Sequence, residues 1–342
     1  MSALWGELTV RLRERLSLDT EWTLENGQML EWWGWLYPTR IELREGSGPS
    51  GESFVTGTIR TSTRLGRARP AGAGRVAEFL ADWNQDAPGA IGMLDSDGTL
   101  NVVWGVPVLP RREDLAFSLT IGVAARQSAY AVDLARILSR NGLIELEEQP
   151  HPELGLRHNP DELVQLYIES CTDPFTTDAY DRPEVAAALH ELMTAEGFDL
   201  GWKSDPHSIT TFQLGEGHTY VGYQFDWSSP DAFVQAGPRL RIRAAAGNAL
   251  AFPPGHTSEA MDAAVRANQR VWSQPLTNML GAWSGSHDQA GASFLTLSSM
   301  VPASALLFDP RFTPLSYANV LRDLLFCVLH QAIETAEMTH YG

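Results

Sequence analysis

The sequence predicts an α+β protein made of two tandem copies of one domain. Each copy runs helix, three strands, helix, two or three strands, helix, with mainly antiparallel sheets. Three observations carry this expectation. Apolar residues change period along the chain, from every fourth position in "ALWGELTVRLRERL" to every second in "TRIELRE". Tight-turn residues, Asn26-Gly27 and Asp95-Ser96-Asp97-Gly98, punctuate the alternating stretches. Words of the first half return in the second: "ADWNQ" is answered by "RANQR" and "SAYAVDLARIL" by "SYANVLRDLL". The offset is 184 residues from Asn84 to Asn268 and 188 from Ser128 to Ser316, which reads as an internal duplication.

The first domain spans 1–142. Leu4, Leu8, Leu12 and Leu16, with Trp5 beside them, form the buried stripe of a helix. "EWTLENGQMLEWWGWL" reads as two strands joined at Asn26-Gly27. "TRIELRE" sets Ile41 and Leu43 against Arg40, Glu42 and Arg44, one dry face and one wet. A Gly-, Ser- and Pro-rich loop leads into a strand at "SFVTGTIRTST". In "AGAGRVAEFLADWNQ", Val76, Phe79, Leu80 and Trp83 share a helical face. Two strands flank "DSDGT", "DLAFSLTIGVAA" reads as a further strand, and "SAYAVDLARILSRNG" closes the unit as a helix capped by Gly142.

Residues 143–183 are acidic and proline-punctuated, and read as a linker. It holds one short helix at "NPDELVQLYIES", with Asn159 as N-cap and Pro160 first in the helix. The second domain, 184–342, repeats the order. "RPEVAAALHELMTAEGF" is a helix, and "HSITTFQLG", "HTYVGYQFDW" and "PRLRIRAAA" are strands. "SEAMDAAVRANQRVW" is a helix, "NMLGAWSG" and "GASFLTLSSMV" are strands, and "SYANVLRDLLFCVLHQAIETAE" is the last helix.

Composition narrows the function. In 342 residues, 44% hydrophobic and 20% charged content is that of a folded chain, with eleven tryptophans to bury. A net charge of −17 argues against nucleic acid as a partner, because phosphate attraction needs a basic face. Cys171 and Cys327 supply neither a disulfide framework nor a four-ligand zinc site, and read as the reduced thiols of a cytoplasmic protein. Charges interrupt the apolar residues of the N-terminus and no run reaches 18 apolar residues, so neither a signal peptide nor a membrane partner is expected.

The motifs point away from chemistry. Asp95 and Asp97 resemble the start of a calcium loop, but Thr99, Leu100, Asn101 and Val102 return at once to strand alternation, and two carboxylates do not enclose the ion. The matching place in the second copy, "SGSHDQAG", keeps one acid, Asp288, as a hairpin loop can and a metal site cannot. Gly72-x-Gly74-x-x-Ala77 follows a polar, basic stretch rather than the buried strand that a dinucleotide fingerprint requires. Arg60, Arg64, Arg67, Arg69 and Arg75 make a basic island, read as a solvated loop that could hold an acidic group or phosphate. His190, His218, His256 and His330 fall at no metal-ligand spacing, and Ser284 lacks the flanking glycines of a nucleophile elbow. No catalytic residue, metal or cofactor is expected.

The aromatic run "EWWGWLY" is the candidate binding element. On a strand, Trp33, Trp35 and Tyr37 share one face, with Trp32 and Leu36 on the other. In the second copy Tyr223, Phe225 and Trp227 share a face with Val221. These six are the predicted partner-binding residues. The competing reading is a sheet covered on both sides, or a face buried between the copies.

The order of elements and the segment "VAEFLADWNQDAPGAIGMLDSDGTLNVVW" resemble the YbjN-like proteins, grouped with type III secretion chaperones by a shared fold. The matching parts are a middle helix ending near Asn84, a strand from Gly89 to Leu94, a hairpin from Asp95 to Gly98, a strand from Thr99 to Trp104, and a closing helix from Ser128 to Arg140. Similar tandem chaperone-like proteins occur in actinobacteria. The resemblance implies binding rather than catalysis, since such chaperones are usually dimers that hold an extended segment of a protein client. A tandem chain would then be a pseudo-dimer, monomeric or itself dimerised. The expected function is that of a cytoplasmic, non-enzymatic chaperone-like or adaptor protein. A hydrolase or small-ligand enzyme with a site between the domains, and a self-associating assembly protein, stand as alternatives.

Overall fold

The computed structural model describes residues 2–15, 19–46, 57–86, 90–170, 183–196, 207–214, 219–226, 239–246, 251–252, 256–274, 279–287 and 293–299, with single positions between 313 and 331. The protein is α+β, and among the described residues two sheets form, with every strand pairing antiparallel. Its residues divide into two compact units. The first holds Met1–Phe79, Gly89–Asp173 and Trp272–Met279; the second holds Leu80–Pro88, Pro174–Val271 and Leu280–Gly342.

The first half begins with α1 (Ala3–Arg15), β1 (Thr23–Asn26), β2 (Met29–Trp32), β3 (Thr39–Glu45) and β4 (Gly57–Ala68). It continues with α2 (Ala73–Asp86), β5 (Ile91–Leu94), β6 (Thr99–Val108), α3 (Glu113–Arg140), β7 (Ile144–Leu146) and α4 (Glu162–Ser170). Strands pair in the order β1-β2-β3-β4-β6-β5, and β7 adds to β4. The β1–β2 reversal sits at Asn26-Gly27, where Gly27 takes φ +65°, the left-handed geometry this turn requires. At Gly66 the β4–β6 register shifts, and a Cβ there would lie 2.0 Å from the Glu145 carbonyl oxygen. Only glycine lets β7 approach β4 so closely.

The stretch "DLAFSLTIGVAA" is not a strand. It is the first half of α3, one continuous 28-residue helix. A run that is apolar on every side carries no period to separate helix from buried strand. Here Glu113 and Asp114 favour the helix N-terminus, and the Thr120 hydroxyl donates to the Ala116 carbonyl at 2.7 Å. The helix stops as expected: Gly142 has φ +65°, its N–H donates to the Ser139 carbonyl, and Leu143 N–H donates to the Leu138 carbonyl. α3 packs on β3, β4 and β6, and the core includes Trp5, Trp32, Trp104, Phe117 and Ile59, all fully buried. Within it the Thr39 hydroxyl meets those of Thr63 (3.1 Å) and Ser128 (3.0 Å), which ties β3, β4 and α3 through polar groups that satisfy one another.

The stretch that reads as a linker carries β7 and α4, and residues 143–173 count with the first unit. α4 starts at Glu162, not at Pro160. Its cap is Asp161 rather than Asn159, because the Asp161 carboxylate accepts the Leu163 N–H at 3.0 Å.

The second half contains α5 (Pro183–Ala195), β8 (His207–Leu214), β9 (Thr219–Asp226), β10 (Arg239–Ala246), β11 (Ala251–Phe252), α6 (Thr257–Ser273), β12 (Gly281–His287) and β13 (Ser293–Ser299). The described positions from Leu315 to Gln331 are helical. In this sheet β8, β9, β10 and β13 pair in that order and β12 pairs with β13. In the first sheet β2, β3, β4 and β6 pair in that order and β5 pairs with β6. In each, a helix separates the third strand of the series from the closing hairpin. Near the end of α6, the Asn268 side chain binds the Trp283 backbone of β12 twice, accepting its N–H at 2.8 Å and donating to its carbonyl at 2.9 Å. Near the end of α2, Asn84 is likewise buried.

Candidate functional site: the Trp33–Tyr37 corner

β2 ends at Trp32 and β3 begins at Thr39, so residues 34–37 form a bend and not the strand face expected for Trp33, Trp35 and Tyr37. Gly34 lies within this bend. A Cβ there would lie 2.8 Å from the Ser128 hydroxyl and 3.0 Å from the Trp32 ring. The chain presses against α3 at a point where no side chain fits, and it turns there.

The segment 148–161 lies on this bend. Trp33 is 4% exposed and its indole N–H donates to the Gln149 carbonyl at 2.8 Å. The Trp35 indole N–H donates to the His158 carbonyl at 3.1 Å, and the Asp161 N–H donates to the Gly34 carbonyl at 2.8 Å. Tyr37 is 7% exposed; burial, reinforced by Glu148, raises its hydroxyl pKa. His151 is buried between two indoles, with ring centroids 5.7 Å from Trp22 and 4.7 Å from Trp33 in edge-on geometry. Its Nδ1 accepts the N–H groups of Glu153 and Leu154 at 3.3 Å each, closing the 151–155 turn.

Arg157 ties the corner together. Its Nη1 donates to the Trp33 carbonyl at 2.8 Å, and its Nη2 lies 3.3 Å from Asp161 and 3.5 Å from Asp19. Its guanidinium stands 5.1 Å from the Trp22 ring centroid. Burial raises the Asp161 pKa, against the opposing effects of the Leu163 N–H and Arg157. Of the first predicted triad, therefore, Trp33 and Tyr37 are buried and Trp35 is half-buried. In the second, Tyr223 and Phe225 occupy alternate positions of β9, opposite Ile242 and Leu240 of β10; Trp227 lies outside the described residues. Sequence reasoning missed Asp19, His151, Arg157 and Asp161. A signal was present: His151 and Arg157 are cationic or aromatic exceptions inside an acidic stretch.

The other singled-out motifs also resolve. Asp95–Gly98 is the hairpin between β5 and β6: Gly98 has φ +81°, Asp95 N–H donates to the Thr99 carbonyl at 2.8 Å and Gly98 N–H to the Asp95 carbonyl at 2.9 Å. Asp97 accepts the Thr99 N–H at 2.9 Å and Asp95 accepts from the Asn101 amide at 2.8 Å, so both carboxylates serve the turn. The basic island is not a loop. Arg60, Arg64 and Arg67 belong to β4 itself, and Arg69 follows it directly.

Among the described residues, no group of three or more His, Cys, Asp or Glu side chains could hold a metal ion, and no helix is long and apolar enough to cross a membrane. No family model matches the chain, and no curated protein or solved structure matches it either. What its own geometry defines is an antiparallel α+β protein with an aromatic corner whose Trp33, Trp35 and Arg157 side chains donate to backbone carbonyls.

Proposed function

We propose that this chain is a tandem chaperone-like or adaptor protein of the YbjN and secretion-chaperone type, a pseudo-dimer that binds a protein partner and catalyses no reaction. The observation that supports it best is the shared strand order of the two sheets, with a helix ahead of each closing hairpin. The buried asparagines near the ends of α2 and α6, Asn84 and Asn268, fit two descendants of one ancestral domain. Duplication followed by divergence leaves two inequivalent binding faces, which suits a protein that holds a single client.

With Trp33 and Tyr37 buried, the partner contacts on the first unit centre on the half-buried Trp35. On the second they centre on the β9 residues Tyr223 and Phe225. The test is a comparative pull-down from the native cell with the wild type and a Trp35→Ala, Tyr223→Ala, Phe225→Ala variant. A protein held by the wild type should fall at least tenfold with the variant, whose folding is checked by thermal unfolding. Equal recovery with both would remove these residues from the interface. Recovery of nothing, together with turnover in a substrate screen, would overturn the binding reading itself.

A further inference from the structure

Most of the basic island is neutralised within the first unit. Arg64 meets Glu147 at 2.7 Å, Arg67 meets Asp97 at 3.3 Å and Glu147 at 3.5 Å, and Arg69 meets Glu145 at 3.7 Å. Arg60 is different. It is 4% exposed and forms no ion pair among the described residues, the geometry in which a positive charge is hardest to keep. Its cross-strand neighbour in register is Glu42, but Arg44 holds that carboxylate, with Nε at 3.1 Å and Nη2 at 2.9 Å. Glu42 thus pairs with Arg44 and leaves the Arg60 guanidinium without an ion-pair partner among the described residues.

What Arg60 does have is Trp272, from the segment of the second half that counts with the first unit. The guanidinium lies 3.5 Å from the Trp272 ring centroid, and Nη2 donates to the Trp272 carbonyl. The guanidinium carbon stands over the indole, and the donors of an arginine lie in the guanidinium plane. Nε is buried with no acceptor. Burial, with Arg44 adding to it and Glu42 opposing, pulls the Arg60 pKa down to about 10.

We propose that Arg60 anchors a carboxylate-binding site in the first unit, with Trp272 as its stacking wall. A carboxylate fits for two reasons. Its two oxygens match parallel in-plane N–H groups, and its single negative charge completes the balance that Glu42 leaves open. A phosphate would overshoot that balance. The bound group belongs either to a small organic acid or to a polypeptide, and the site stands whether or not the protein-partner reading does.

The test uses the full chain, unfolded thermally at pH 7 in sodium acetate and in sodium chloride of equal ionic strength. Acetate should raise the wild-type midpoint saturably. Arg60→Met should abolish that rise, and Arg60→Lys, which keeps the charge but not the fork, should weaken the apparent affinity at least tenfold. Without carboxylate, Arg60→Met should unfold at the same temperature as the wild type or higher, since methionine fills the volume without a charge. A response that only tracks ionic strength, or one equal in wild type and Arg60→Met, overturns the site. A peptide with a free C-terminal carboxylate, compared with the same peptide amidated, identifies the source. Tighter binding of the acid peptide than of acetate marks a polypeptide ligand, and binding of acetate alone marks a small acid.

Discussion

The hairpin at Asp95–Gly98 and the corner at Trp33–Tyr37 are both sharp changes of direction, and they are held in opposite ways. The hairpin holds its two carboxylates chiefly from within, Asp97 by the Thr99 N–H two residues on and Asp95 by the Asn101 amide six residues on. Arg67 and the Ala68 N–H add contacts from β4. The corner satisfies its groups from afar. Trp33, Trp35 and Arg157 find their partners 116, 123 and 124 residues away. A turn of the first kind draws most of its geometry from its own residues. One of the second kind exists only once the segment 148–161 has docked, so its stability is that of the whole first unit.

The largest expected effect tests that dependence. Trp33→Ala removes a buried indole, its bond to Gln149 and one wall around His151. It should cost about 3–5 kcal/mol in denaturant unfolding, as truncation of a buried aromatic usually does. Amide hydrogen exchange should rise more across 148–161 than at 95–99, where only the loss shared by the whole unit is expected. Equal protection loss in both places would break the comparison, because it would make the hairpin as dependent on distant packing as the corner.

This contrast also explains what could be read in the chain. Strands β3, β5 and β6, helices α1 and α2, and the Gly27, Gly98 and Gly142 turns rest on spacing and on residues a few positions apart, and all were legible. The bend at Gly34 was not, because the close approach that excludes a side chain there is to the Ser128 hydroxyl on α3. "EWWGWLY" alternates like a strand, and nothing within the run says that a helix 94 residues on will forbid a side chain at its centre. α3 failed for a second reason: its first half is buried on nearly every side and lacks the polar face that reveals helical period. The arginines of β4 and Arg69 misled as well, since Glu145 of β7, Glu147 just after it and Asp97 of the hairpin neutralise their charge from outside β4.

A middle-sized effect lies in pH. Burial raises the Asp161 pKa above the ordinary 3.8, so the folded state holds this proton more tightly than the unfolded state. Its contribution to stability is therefore full below the ordinary value and falls as pH rises through the raised folded one. Asp161→Asn keeps an acceptor for the Leu163 N–H and removes the titration. Unfolding free energy plotted against pH should lose that downward component in the variant. An unchanged slope would mean that Arg157 fully offsets the cost of burying the carboxylate.

The smallest effect belongs to the hairpin, and its sign is reversed. Hydrogen bonds from Thr99 hold the Asp97 pKa below the ordinary range, with Arg67 and Arg64 assisting. This carboxylate contributes stability above its unfolded pKa and loses it as pH falls through the folded one. Because the side chain is open to water, the contribution is strongly screened. Asp97→Asn preserves an acceptor for the Thr99 N–H, so the thermal midpoint should barely move and exchange at 148–161 should not change. Carboxyl NMR titration supplies the sharper reading. Asp97 should titrate below its ordinary value while Asp95, two residues away, titrates above it through burial and the neighbouring charge of Asp97. If the two titrated together, the hydrogen bonds drawn within the turn would not be distinguishing them, and the self-sufficiency of the hairpin would fail with that result.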